Sequence, residues 1–184
     1  RGAIGAEEHV AQVRVAVDQA QRLPALLAVL GHECTLHDVA VEQRVAGFLG
    51  ALRHAMGAVA TTLVLRPAQT DRAGLILTEG GSSEGIALYR EGLFMADPFV
   101  ALPPRTVVAL HEIMPLAELE QTELYKLCMA PGGLHDSLGA DIDVDGVIEA
   151  RLRVARTRGA HPFGKREKQL CELLLPHLER AIRI

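Results

Sequence analysis

Apolar residues at Val10, Val13 and Val17 recur at helical spacing over about Ala6 to Ala20, and Glu7 and Glu8 stand in the first turn, where the helix dipole favours acids. Pro24 restarts a short helix that Gly31 closes as a left-handed cap. This opening stretch has no wide apolar face of its own. It reads as a helical extension over 1–35, able to pack on the domain or on a second copy. Thr35 and Asp38 resemble a capping box. The helix after them lines Val41, Val45, Phe48, Leu49, Leu52 and Met56 along one face until Gly57 stops it.

Beyond Gly57 the period changes. Thr61 to Arg66 is β-branched and apolar and is closed by Pro67; Asp71 and Arg72 turn the chain, and Gly74 to Thr78 returns as a second strand. Gly80, Gly81, Ser82 and Ser83 form a loop in which Ser83 caps a helix carrying Ile86, Tyr89 and Leu93, and Asp97-Pro98 follows it. Leu102-Pro103-Pro104 is an extended linker, and Thr106 to Ile113 a third strand. Leu116 to Met129 is helical with a break near Thr122, and Pro131-Gly132-Gly133 ends it. Asp136 to Val144 and Val147 to Thr157 are strands joined by Asp145-Gly146, a strong hairpin signal. The last helix opens at Gly164 and Glu167, repeats Leu170, Leu174, Leu178 and Ile182 at every fourth position, and loses one backbone bond at Pro176. No βαβ rhythm appears and two strand pairs are hairpins. The expected fold is α+β: an antiparallel sheet of about five strands flanked by helices, in a domain over 36–184.

Composition narrows the function classes. Of 184 residues, 49% are hydrophobic, enough for one domain with a real core. The apolar stretch Leu23 to Leu30 falls far short of the ~20 residues that span a bilayer, so no membrane association is expected, and no signal peptide is visible. Cys34, Cys128 and Cys171 are far apart and make no CxxC pair, which points to reduced thiols and a cytoplasmic protein. The net charge of −4 repels free nucleic acid. The basic run Arg151, Arg153, Arg156 and Arg158 reads as the solvent face of a strand, so the chain is not expected to bind DNA by itself.

Chemical motifs are sparse. Asp141-Ile-Asp-Val-Asp145-Gly146 matches the first half of an EF-hand loop, but the position that needs a bidentate glutamate is Leu152, so the segment reads as a strand entering a turn. Gly80 to Gly85 lacks a Gly-Lys-Ser/Thr ending, and no serine sits in a Gly-x-Ser-x-Gly elbow. Eight histidines show no zinc spacing. No catalytic group, metal site or cofactor is therefore expected. The aromatics are more informative. There is no Trp, and Tyr89, Phe94 and Phe99 cluster about Asp97-Pro98, with Tyr125 on the next helix. An apolar wall with a few convergent polar groups suits a small organic ligand; the same residues serve equally well as plain core.

A resemblance links these segments. Tyr89-Arg-Glu-Gly-Leu-Phe-Met-Ala-Asp97-Pro98-Phe99 resembles the tyrosine, spacer and Asp-Pro segment of sensor domains in LuxR-type transcription regulators. Glu123-Leu-Tyr125 through Pro131-Gly-Gly-Leu134-His135, and Pro162-Phe163 leading into Leu173-Leu-Leu-Pro176-His177-Leu178-Glu-Arg180-Ala181, resemble the later helix and the closing helix of the same proteins. The likeness covers about residues 45 to 184. It implies a PAS/GAF-like sensor fold, a small-molecule signal, a homodimer, and control of a helix-turn-helix that lies beyond the closing helix, so that this chain would be the sensor alone. It also implies ligand contacts at Tyr89 and Asp97, and with the aromatics Phe94, Phe99 and Tyr125 these make the candidate ligand-binding set. In the acyl-homoserine-lactone branch tryptophans line the pocket, and this chain has none. There the aspartate accepts from the ligand amide; Asp97 either does so or caps the backbone beside Pro98. A small enzyme using the same pocket, or a ligand-free dimerisation module, are the competing readings.

Overall fold

The computed structural model describes residues 39–68, 74–100 and 102–183, together with Ala11, Arg14, Val15 and Asp18, which are helical. Outside these residues lie the rest of the expected opening helix, the Pro24–Gly31 segment, the Thr35–Asp38 cap, Cys34, His9, His32, His37 and the Asp71-Arg72 turn.

Helix α1 (Val39–Ala55) leads into strand β1 (Ala60–Pro67), which pairs antiparallel with β2 (Leu75–Gly80). After a helical stretch come β3 (Val107–Ala109), β4 (Leu134–Val144) and β5 (Ile148–Thr157). The five strands form one sheet in the order β2-β1-β5-β4-β3, with every neighbouring pair antiparallel. The β4–β5 turn is built as its sequence requires. Asp145 and Gly146 both take positive φ, 57° and 68°, and the Asp143 carboxylate accepts the Gly146 N–H at 2.8 Å.

Strand alternation gives the sheet two different faces. Leu63, Leu65, Leu138, Ala140, Ile142, Leu152 and Val154 share one face. They pack on Phe48, Leu49 and Leu52 of α1 and on Leu170, Leu174 and Leu178 of α5 (Lys165–Arg183) in one continuous core. Truncating one of these buried leucines to alanine costs about 2–5 kcal/mol. Thr61 also points this way, and its hydroxyl donates to the Leu49 carbonyl at 2.9 Å, so its burial leaves no polar group unpaired. The opposite face carries a second, smaller cluster of Phe99, Leu110, Leu119 and Met129.

Between β2 and β4 the chain departs from the sequence expectations in two places. The helix at 83–91, α2 (Ser83–Glu91), is capped by Ser82 rather than Ser83: the Ser82 hydroxyl accepts the Gly85 N–H at 3.1 Å. The expected strand from Thr106 to Ile113 stops at Ala109, and the chain turns into α3 (Leu110–Ile113) because Glu112 accepts the Ala109 N–H at 2.9 Å and Leu110 sinks into the second cluster. The helical stretch from Leu116 to Met129 is broken near Thr122 as expected, into α4 (Leu116–Leu119) and a π-helix (Leu124–Met129). Thr122 separates them and caps the second, its hydroxyl accepting the Tyr125 N–H at 3.1 Å.

The arginine run corrects a larger expectation. Arg151, Arg153 and Arg156 are buried, and only Arg158 reaches solvent. β5 is the central strand, so both its faces are covered. Each buried guanidinium lies against carboxylates or carbonyls, as Arg156 does with the carbonyls of Met56 and His161 and with Glu167.

Candidate functional site

A half-open cavity of about 110 Å³ lies between the second face of the sheet and the helical layer of α2, the Asp97–Phe99 turn and the π-helix. The sheet leaves this space because small residues line up across it. Ser137 of β4, Ala155 of β5, Ala60 of β1 and Gly80 of β2 are register partners, and the first three form the cavity floor. The next row is Gly139, Arg153, Thr62 and Thr78. Ile86, Leu110, Leu124, Met129 and Leu134 supply apolar walls.

Two glycines bring the layers together. A β-carbon on Gly139 would stand 2.4 Å from the Phe99 ring, so only glycine lets that ring pack against β4 here. A β-carbon on Gly85 would meet the Cys128 carbonyl at 2.7 Å, so α2 packs directly on the backbone of the π-helix. Such widened turns recur at functional sites.

At the polar end, three donors converge on Asp97, which is itself buried. Its Oδ2 accepts from the Tyr89 hydroxyl at 3.0 Å and from Arg153 Nε at 2.8 Å, and its Oδ1 accepts the Phe99 N–H at 2.9 Å. Arg153 Nη1 donates to Asp141 at 2.7 Å and to the Ala140 carbonyl at 3.2 Å. The guanidinium lies over the Phe99 ring, 4.9 Å from its centroid. Burial opposes the charge of Arg153, but the carboxylates of Asp97 and Asp141 outweigh it and hold the guanidinium above its ordinary pKa. Burial of the hydroxyl end, reinforced by the adjacent Asp97 charge, pushes Tyr89 well above the usual phenol range. Both groups are thus fixed in one protonation state, Tyr89 as a neutral donor and Arg153 as a cation.

The structure therefore brings Tyr89, Asp97 and Phe99 together at the cavity. Phe94 is buried elsewhere, with the Arg66 guanidinium 5.8 Å from its ring centroid, and does not line the space. Tyr125 packs at the edge of the second cluster, its hydroxyl 3.4 Å from Arg158, and is not a lining residue either. Asp97 caps the backbone at Phe99 while also holding Tyr89 and Arg153, so the capping role is filled. Sequence reasoning missed Arg153, the floor of Ser137, Ala155 and Ala60, and Cys128, whose thiol is pushed up by burial. Among the described residues no group of His, Cys, Asp and Glu is arranged to hold a metal ion, and no helix is long and apolar enough to cross a membrane.

The fold is shared with LuxR-family ligand-binding domains and with GAF domains. The VqsR ligand-binding domain from Pseudomonas aeruginosa is similar over 100% of this chain and 96% of its own, with 18% identity and a TM-score of 0.57. CepR2 from Burkholderia cenocepacia, an N-acylhomoserine-lactone-dependent LuxR-family transcription factor, is similar over 95% and 96%, with 15% identity and a TM-score of 0.62. The GAF domain of a sensor histidine kinase from Pseudomonas syringae pv. tomato covers 97% and 90%, with 16% identity and a TM-score of 0.52. At these identities the likeness is one of fold. No protein-family model and no curated protein sequence matches the chain.

Proposed function

We propose that this chain is the ligand-sensing and dimerisation domain of a LuxR-type DNA-binding transcription regulator, acting as a homodimer in the cytoplasm. A small molecule in the cavity controls a linked helix-turn-helix, and the domain performs no turnover. The observation that carries this reading is the cavity itself: apolar walls, a floor of small residues, and one polar end where Tyr89, Asp97 and Arg153 converge. The likeness to CepR2, which is N-acylhomoserine-lactone-dependent, supports it. The polar end also favours recognition over chemistry. Tyr89 stays protonated, Asp97 is held by three donors, and the Cys128 thiol is pushed away from its reactive form by burial, so none of these three is poised to act as base or nucleophile.

Control of a linked module requires the ligand to bind one conformation more tightly than another. Native mass spectrometry of the protein purified from its source is the direct test. A co-purifying small molecule whose removal lowers the melting temperature, together with a dimeric mass, is the expected result. A chain that carries nothing and stays monomeric would overturn the reading.

A further inference from the structure

We infer that the cavity takes a compact, uncharged molecule with a carbonyl-type oxygen, anchored by donation from Arg153 rather than by a bond to Asp97; this rests on the sensor reading above. Three observations converge. First, the guanidinium has one nitrogen to spare. Nε is engaged by Asp97 and Nη1 by Asp141 and Ala140, whereas Nη2 is buried and has no acceptor among the described residues. Buried donors are rarely left this way, and Arg153 is one of the residues lining the cavity, so a ligand acceptor reaching Nη2 from that side would complete its set of bonds.

Second, the charge around that donor disfavours an anion. Asp97 and Asp141 already place two carboxylates on one guanidinium, at 2.8 and 2.7 Å. Their contacts occupy the nitrogens with which arginine would grip a ligand carboxylate as a fork. A single remaining nitrogen suits a single oxygen, as in a ketone, ester, lactone or amide. Asp97 already carries the Tyr89 hydroxyl and Arg153 Nε on Oδ2 and the Phe99 N–H on Oδ1, so it is largely satisfied while the Arg153 Nη2 donor has no partner among the described residues.

Third, the size and walls limit the rest of the molecule. An apolar cavity of about 150 Å³ holds one benzene. The space here is about 110 Å³ and is walled by Ile86, Leu110, Leu124 and Met129. The enclosed part is then a hydrocarbon body no larger than about a six-membered ring, and a long acyl chain does not fit inside.

The test is an NMR titration of the chain with cyclohexanone, its hydrocarbon isostere methylenecyclohexane, and cyclohexanecarboxylate, following the amides of Ser137 and Gly139 and the Arg153 Nε–H. The ketone is expected to shift all three signals and to bind about tenfold or more tighter than the hydrocarbon, with the carboxylate weakest. In Arg153→Lys, which keeps a cation between the two aspartates, the ketone's advantage should largely disappear. Equal binding of ketone and hydrocarbon, or tighter binding of the carboxylate, overturns the inference while leaving a small-molecule sensor in place. If none of the three moves these signals, the sensor reading of this cavity falls with it.

Discussion

Replacing Asp97 by asparagine isolates the polar end of the cavity with almost no change of shape. The carboxylate has donors on both oxygens: Tyr89 and Arg153 at Oδ2, and the Phe99 N–H at Oδ1. An asparagine has one acceptor oxygen and one NH2. With the oxygen toward Arg153 and Tyr89, the NH2 faces the Phe99 N–H and leaves that buried donor unpaired. Flipped, the NH2 faces the Arg153 N–H, which cannot accept. Either way one buried donor is orphaned and a charge-assisted bond becomes a neutral one. Breaking a buried ion pair outright costs about 3–5 kcal/mol. Asp141 still holds Arg153 at 2.7 Å, so we place the loss at the low end, about 3 kcal/mol. For a chain of this size that lowers the melting temperature by roughly 6–12 °C.

The assay is urea unfolding at pH 7, followed by circular dichroism, on Asp97→Asn, Tyr89→Phe and the double variant. Tyr89→Phe removes one bond to Asp97 and should cost about 1–2 kcal/mol. Because both changes act on the same oxygen, the double variant should lose about 1 kcal/mol less than the sum. An Asp97→Asn protein within about 0.5 kcal/mol of the parent, or strict additivity with Tyr89→Phe, would refute the convergence on which the site is built.

Four further outcomes follow from the same geometry. Ala155→Leu extends a side chain from the cavity floor and should abolish binding of a co-purified ligand while leaving the oligomeric mass of the parent unchanged, as read by native mass spectrometry. Gly139→Ala forces the Phe99 ring off β4, since the new methyl would lie 2.4 Å from it, and should cost about 1–3 kcal/mol in urea unfolding while weakening ligand binding. Glu112 is held below its ordinary pKa chiefly by Lys168, and Glu167, despite its burial, by the Gly164 N–H and Arg156. A lowered carboxylate stabilises above its unfolded pKa and loses that contribution as pH falls through the folded value, so unfolding free energy should drop below about pH 4.5, less steeply when both are changed to glutamine. Glu179, buried on α5, takes Arg105 on both oxygens at 2.7 and 2.6 Å and Arg183 at 3.0 Å; Glu179→Gln should cost about 1–3 kcal/mol and speed hydrogen exchange in the turn around Arg105.

Much of the frame was legible because it depends on period and punctuation. The stripe from Val45 to Met56, the fourfold leucine repeat of α5 and the Asp145-Gly146 turn each have one physical solution, and each appears where its residues demand. The break near 120 was legible because Thr122 can cap a helix start, and it does. The boundary near 110 was not legible, because Glu112 ends β3 by capping Ala109. A local propensity count does not contain that bond.

Most of the cavity's outline escaped the sequence for a different reason. Its walls are large residues that could equally have been core, and its floor is defined by smallness in a direction the chain does not run. Ser137, Ala155, Ala60 and Gly80 are ordinary small residues in four separate strands, and only the register of the sheet sets them side by side. Arg153 shows the same effect. The spacing of the arginines looks like a solvent face as long as β5 is taken to have one. Once β1 and β4 flank it and helices cover both faces, the same spacing puts a guanidinium under the Tyr89 helix, where it must find carboxylates. Asp97 and Asp141, 44 positions apart in the chain by their numbers, are those carboxylates. The Tyr89–Asp97 segment that stood out in the sequence is therefore only half of the polar end; the other half belongs to the central strand, and a buried charge there is tolerated only because the turn at Asp97 closes over it.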